Sequence, residues 1–266
     1  MSADEHDAYA DIVAWYDIEH DQVTEDLECY QELLGTHVAP RASVLEIGSG
    51  TGRIAAALAA AGYSVTGVEP SAAMRAGSAH RLAGLPARVA RRVRIVSGTA
   101  TQLMLAPSDL FDAVLFGLNT FAHLTTLAER QQALAAFSAH LRPGGIALLD
   151  LDLAGPRRMA ESAGHVWWQG GWPVAESAAS LTHFVVGEPS GTPGAVRLTH
   201  FYDVHEQGGP VRRTTATMDL AILTRGEIDL GLLHAGFVLP EAYGSYDLAP
   251  FEESSLRLIA VARKRD

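Results

Sequence analysis

Hydrophobic positions change their period along the chain, and the changes divide it into segments. From Ile12 to Val38 apolar side chains recur at helical spacing, at Ile12, Trp15 and Tyr16 and then at Leu27, Tyr30, Leu33 and Leu34, with acids between them. This predicts one or two amphipathic helices laid on the body. After Pro40 short β-branched or leucine-rich runs alternate with alanine-rich helical stretches. The runs are SVLEI (43–47), YSVTGV (63–68), RVRIV (92–96), FDAVLF (111–116) and GIALLDL (145–151), with helices expected near 53–61, 71–83 and 127–141. Pro143 and the two glycines of LRPGG read as the end of the last of these helices before its strand. Such alternation predicts a parallel sheet of βαβ units, an open doubly wound α/β fold.

Between 153 and 224 glycine, proline, tryptophan and threonine become common, and AVRLTHFYDV and RRTTATMDLAIL alternate with period two. These predict antiparallel strands, inserted on the sheet. A helix over 225–235, stopped by AGF, and strands near 237–246 and 256–263 then return to the parallel pattern. The expected segments are 1–40, 41–152, 153–224 and 225–266. No repeat or low-complexity stretch interrupts them.

Composition narrows the partners. The 266 residues carry a net charge of −11, yet residues 1–40 hold eleven acids and no Lys or Arg, so the remainder is balanced. A body without excess positive charge is not built for a polyphosphate backbone or an anionic membrane. Most of these acids read as the solvated faces of the first helices. Six arginines between Arg75 and Arg94 read as a solvated face after the second strand. The single Cys29 suits a reducing compartment, and without a signal-peptide pattern or a long apolar span the expected location is the cytoplasm.

The strongest local signal is VLEIGSGTGR (44–53), where Gly48, Gly50 and Gly52 form a tight turn after a buried strand. Glycine is needed where the backbone takes unusual dihedrals and a ligand must approach its amides. The dinucleotide fingerprint spaces its glycines G-x-G-x-x-G, whereas here Arg53 takes the third place and Glu46 would repel a pyrophosphate. A nicotinamide dehydrogenase is therefore disfavoured. A ligand with an ammonium group and no phosphate tolerates the acid.

These residues resemble the class I S-adenosylmethionine-dependent methyltransferases. The resemblance implies a Rossmann-like seven-stranded sheet with an N-terminal helical lid and an antiparallel β insertion. It also implies S-adenosylmethionine as cofactor, with S-adenosylhomocysteine as product. Glu46, Gly48, Ser49, Gly50, Gly52 and Arg53 match the family's glycine turn, and Glu69 with Pro70, in GVEPS, stands where the family holds the two ribose hydroxyls. A carboxylate suits that place because its two oxygens accept both hydroxyl hydrogens. In VSGTA, Thr99 replaces the family's common Asp, so the adenine is expected against the Thr99 and Ala100 backbone.

FGLNTFAHL (116–124) lacks the motif with which nucleic-acid amine methyltransferases grip a flipped base. It is similar to the small-molecule branch, especially amino-sugar-nucleotide N-methyltransferases and some peptide N-terminal methyltransferases. Gly117 and Leu118 then lie on the cofactor side and His123 faces the methyl group. An alkyl amine, with a pKa of about 10.4, is protonated at neutral pH and needs a base before it can attack. His123 either takes that proton or caps the following helix beside the cofactor.

AWYDIEH matches the segment that covers the cofactor in the family, mapping to Tyr16 and Asp17; Tyr16 is a lid residue or a core aromatic. Asn119 is placed to touch the acceptor. Asp150 is structural or part of the site. Trp168, with Trp167 and Trp172, walls an acceptor pocket or serves packing or a homodimer contact through the insertion. No histidine pair has the spacing of a helical zinc site, so the histidines, among them His183, His200 and His205, read as scattered on the surface, with no metal. The expected activity is methylation of a small molecule, preferably an amine. Methylation of a natural-product peptide N-terminus and a non-catalytic cofactor-binding subunit are the alternatives.

Overall fold

The computed structural model of the protein describes residues 7–175, 177–206 and 208–265. Asp4 and Glu5 of the acidic segment lie outside the described residues. Two helices lead, α1 (Ala8–His20) and α2 (Glu25–His37). The alternating region follows as β1 (Ser43–Ile47), α3 (Arg53–Ala61), β2 (Ser64–Glu69), α4 (Ala72–Ala83), the short α5 (Ala87–Ala90), β3 (Val93–Ser97), β4 (Phe111–Phe116), a 3-10 turn (Thr120–His123), α6 (Leu127–Ala139) and β5 (Leu141–Asp152). Then come α7 (Gly155–Glu161), β6 (Val166–Pro173), β7 (Ser180–Pro189), β8 (Ala195–His205) and β9 (Arg212–Ala221). The chain closes with α8 (Arg225–His234), β10 (Glu241–Tyr243) and β11 (Arg257–Arg263).

The main sheet has seven strands in the order β10-β11-β5-β4-β1-β2-β3. The five central and edge strands of the βαβ units run parallel, while β11 joins β5, and β10 joins β11, antiparallel. Buried on both faces, the strands read as continuous apolar runs, and their two-residue period sorts the side chains. Val44, Ala113, Leu115, Leu148 and Ile259 pack with α2 and α3. Leu45, Val114, Phe116, Leu149 and Leu258 pack with α6 and α8. Thr126 and Thr224 start α6 and α8 with capping boxes, each closed by a glutamate three residues on.

Two expectations are corrected: β10 and β11 join the sheet antiparallel instead of resuming the parallel pattern, and one boundary moves. The LRPGG stretch belongs to β5 itself, where the pairing with β4 shifts register between Phe111 and Ala113 and Gly144 turns at φ +71°. The stretch bends the strand as a bulge instead of only ending the helix.

Strands β6 to β9 form a separate antiparallel sheet in chain order. Helix α1 packs on β9 and α4, and its Ile12 meets Leu181, Tyr202, Val204 and Ala216 of this sheet. The two leading helices thus differ: α1 is sandwiched between sheet and body, whereas Tyr30, Leu33 and Leu34 of α2 are part of the main core. Among the described residues no helix is long and apolar enough to cross a membrane.

Candidate active site

In the main sheet, β1 lies between β2 and β4, so the order reverses beside it and the loops after β1 and β4 leave a crevice at their carboxyl ends. The first loop is the glycine turn. Gly48, Gly50 and Gly52 have φ of +70°, +53° and +77°, the left-handed region that only glycine enters cheaply. The amides of Gly48 and Ser49 donate to Val68 O at 2.8 and 3.2 Å, pinning the turn to β2. A Cβ at Gly48 would stand 2.5 Å from Thr120 Cγ2, so the two loops touch there.

Two carboxyls flank this turn. Glu69 accepts from Gly50 N and Ser71 N, one at each oxygen and both at 2.8 Å. Each oxygen keeps a further lone pair that can accept from a hydroxyl donor. Glu46 is buried, its Oε2 has no partner, and the buried Ser49 Oγ is also unpartnered. Burial pushes the Glu46 carboxyl well above the usual carboxylate range; Arg53 opposes this and Glu69 adds to it. Burial likewise raises Glu69, against its two backbone hydrogen bonds. A buried acid with an open oxygen fits a cationic ligand that restores its charge, and Glu69 fits a diol. The donor set therefore suits S-adenosylmethionine, and its acids disfavour a pyrophosphate.

Arg53 departs from its expected role. Its guanidinium forms a buried ion pair with Asp26 and donates to Val23 O at 2.8 Å, so the side chain joins α3 to α2 instead of meeting a ligand. Asp26, expected on a solvated face, is fully buried by the same pair. The arginines after β2 are also engaged. Arg75 caps the carbonyls of Glu69 and Pro70 at 2.7 Å, and Arg81 binds Asp17 and Asp21 of the leading segment and Thr51 O.

Helix α1 crosses this turn. Asp17 accepts from Thr51 Oγ1 at 2.5 Å, and Tyr16 stands over Gly50, where a Cβ would lie 3.9 Å from the ring. Tyr16 stacks on His20, and burial pushes its phenol up.

The second loop carries Gly117, Leu118 and Asn119, the last two at φ +44° and +66°. Asp150 holds it. This fully buried carboxylate accepts from Tyr30 OH, from Tyr246 OH at 2.9 Å and from Leu118 N at 3.3 Å, and pairs with Arg257 at 2.5 Å. Asp150 is thus structural. The Asn119 side chain accepts from Asp152 N at 3.2 Å, so its carbonyl end ties β4 to β5 rather than facing an acceptor.

His123 ends the 3-10 turn, and its Nε2 lies 2.9 Å from Tyr9 OH of α1. Burial pushes the imidazole down to about 4 and the Tyr9 phenol up, so both are neutral at pH 7. The phenol then donates to Nε2. Sequence reasoning missed Tyr9, although it stands seven residues before Tyr16 on one helical face, and the two rings meet edge-on. It also missed a polar cluster on the antiparallel sheet. His183 and His200 are not scattered surface histidines: they are neighbours on adjacent strands, hydrogen-bonded to each other and, through His183, to Glu19.

Thr99 N donates to Gln102 O at 2.9 Å in a tight turn, so this amide is engaged within its own loop. Trp168 is 68% exposed on the edge strand β6, not walled into the crevice. A groove of about 840 Å³ opens between α6 and α8, away from the glycine turn. Among the described residues no group of three His, Cys, Asp or Glu is placed to hold a metal ion.

Residues 45–147 match the family model of the methyltransferase domain. An uncharacterized methyltransferase of Geobacillus kaustophilus is 38% identical over 118 residues, 44% of this chain and 50% of the relative. The match thus spans about half the length of that relative. Among solved structures, the CcbJ methyltransferase of Streptomyces caelestis aligns with a TM-score of 0.77 at 23% identity, over 98% of this chain and 100% of that one. CalS10 of Micromonospora echinaspora, an amino pentose methyltransferase solved with S-adenosylmethionine bound, aligns with a TM-score of 0.70 at 25% identity, over 99% of each chain.

Proposed function

We propose that this chain is a class I S-adenosylmethionine-dependent methyltransferase that methylates an amine of a small molecule, with an amino sugar as the leading substrate class. The observation that carries this reading is that the glycine turn touches, at Thr120, the 3-10 turn that ends in His123, whose Nε2 meets Tyr9 OH of α1. Bound at the turn, S-adenosylmethionine supplies an electrophilic methyl on a sulfonium that leaves readily. Glu46, Ser49 and Glu69 hold its charged and ribose ends, and Tyr16 covers it. His123, fixed by Tyr9, orients the attacking nitrogen, and this alignment is the main catalytic task in an in-line displacement. The sugar class is supported by the likeness to CalS10, over 99% of each chain. Its cytoplasmic site and a homodimer through the edge strand β6 belong to the same proposal.

The test combines calorimetry with S-adenosylhomocysteine and a methylation assay over amino sugars, phenols and peptides. Binding and turnover of amino sugars are expected, with His123→Ala lowering kcat about a hundredfold. Turnover of phenols or peptides alone, or no binding, overturns the proposal.

A further inference from the structure

The inner face of the antiparallel sheet is apolar except at one place. On β7 it presents Leu181, His183 and Val185, and on β8 Leu198, His200, Tyr202 and Val204. Val185 and Leu198 pack into the main core, whereas Leu181, Tyr202 and Val204 pack on α1. The histidines therefore sit at the seam between these two clusters, where β9 also packs on the 3-10 turn that carries His123. Opposite His200 on β9 is the apolar Ala216.

The hydrogen bonds at this seam have one direction. Glu19 of α1 accepts from Tyr202 OH at 3.1 Å and from His183 Nδ1 at 3.1 Å. With its proton on Nδ1, His183 offers Nε2 as an acceptor, and His200 Nδ1 lies 3.0 Å from it. His200 Nε2 is then left with a lone pair, and this atom is buried and has no partner. The rings of His183 and Tyr202 stack at 4.1 Å, and those of His183 and His200 at 5.2 Å, which fixes the chain. A buried acceptor with nothing to accept is a costly feature for a folded protein to retain, and such atoms mark places where a ligand supplies the donor.

We propose that Glu19, His183 and His200 form a proton relay in which His200 Nε2 takes the proton of the acceptor's ammonium group. This rests on the amine reading above and names the group that the reading leaves open, since His123 Nε2 is already engaged by Tyr9. The ammonium N–H bond breaks and its proton passes to His200 Nε2. The proton on His200 Nδ1 moves to His183 Nε2, leaving an imidazolium beside the Glu19 carboxylate. The freed lone pair forms the N–C bond as the C–S bond breaks, its electron pair going to sulfur. The relay proton then returns to solvent.

His200 alone is a weak base, pushed down to about 4 by burial, with His183 and His123 adding to the effect and Glu19 opposing it. The relay answers this weakness because the charge comes to rest on His183 next to a carboxylate. The groups facing the chain are Glu19, Tyr9 and Tyr16 from α1, with His20 acting on Glu19, His123 from the 3-10 turn and Tyr202 from β8. His200 is thus the catalytic residue, and His183 and Glu19 are positioning residues.

Two measurements on the full chain test this. In protein saturated with S-adenosylhomocysteine, nitrogen-15 NMR of the histidines should show His200 unprotonated at Nε2 and protonated at Nδ1. Glu19→Gln and His183→Gln should disturb that tautomer. A proton on Nε2 of His200 in the parent protein overturns the relay, whether or not any acceptor is turned over. With a panel of amino sugars as acceptors, His200→Ala should lower kcat about a hundredfold at pH 7 and recover as the pH rises to 9.5, where solvent deprotonates the amine. A loss equal at every pH, or no loss, overturns it. Failure of S-adenosylhomocysteine to bind would instead overturn the function proposed above.

Discussion

The two sides of the crevice are built in opposite ways. The cofactor side is local: Gly48, Gly50, Gly52 and Glu46 lie within seven residues, and Glu69 joins them from the adjacent parallel strand. The proposed acceptor side is assembled from four distant places, α1, the 3-10 turn, β7 and β8, which bring Tyr9, His123, His183 and His200 together. A ligand held through backbone shape constrains a short sequence. A reaction that depends on side-chain nitrogens and hydroxyls can draw them from anywhere the fold converges. Substrate specificity can therefore change on the acceptor side while the cofactor turn stays fixed.

Breaking the joint between the sides should have the largest effect. Asp150 holds the loop after β4 through Leu118 and anchors Tyr30, Tyr246 and Arg257. Asp150→Ala leaves the Arg257 charge without its buried partner and should cost about 3–5 kcal/mol, read as a lower denaturation midpoint. An unchanged midpoint would make Asp150 a bystander.

A smaller effect should fall on the cofactor side alone. Gly48→Ala places a Cβ at φ +70° and against Thr120, a strain of about 1–3 kcal/mol. S-adenosylhomocysteine binding should weaken about 10–100-fold by calorimetry while the histidine tautomers of the other side persist. Equal damage to both would show that the sides are one unit.

A change of pH separates them as well. His123 and His200 are held near 4, below the ordinary value near 6.5, so between these values the unfolded chain binds more protons. Their contribution to stability is complete above about pH 6.5 and is lost as the pH falls toward 4. The melting temperature should drop over that window, and His200→Gln should reduce the drop. A midpoint independent of pH there would mean that these imidazoles are solvated.

How much was legible follows the same division. The alternation after Pro40 marked the strands and helices because β1, β4 and β5 are buried along nearly their whole length and α4 and α6 carry side-chain caps at their starts. The bulge in β5 was not, because a register shift is a property of the pair with β4. Among site residues, Glu46, Glu69 and the glycines stand where the motif put them. Arg53 and Asn119 turned to structural partners, Asp26 and Asp152, that lie 27 and 33 positions away.

The sequence by itself determined the turn, its acids and the fold class, since dihedral demands and burial period are written in neighbouring residues. Only the tertiary structure decided that Tyr9 meets His123 and that Glu19, His183 and His200 form one chain of hydrogen bonds. Those contacts depend on the antiparallel register of β7 with β8 and on where α1 lands. Both are fixed by long-range packing, which leaves no periodic mark in the sequence.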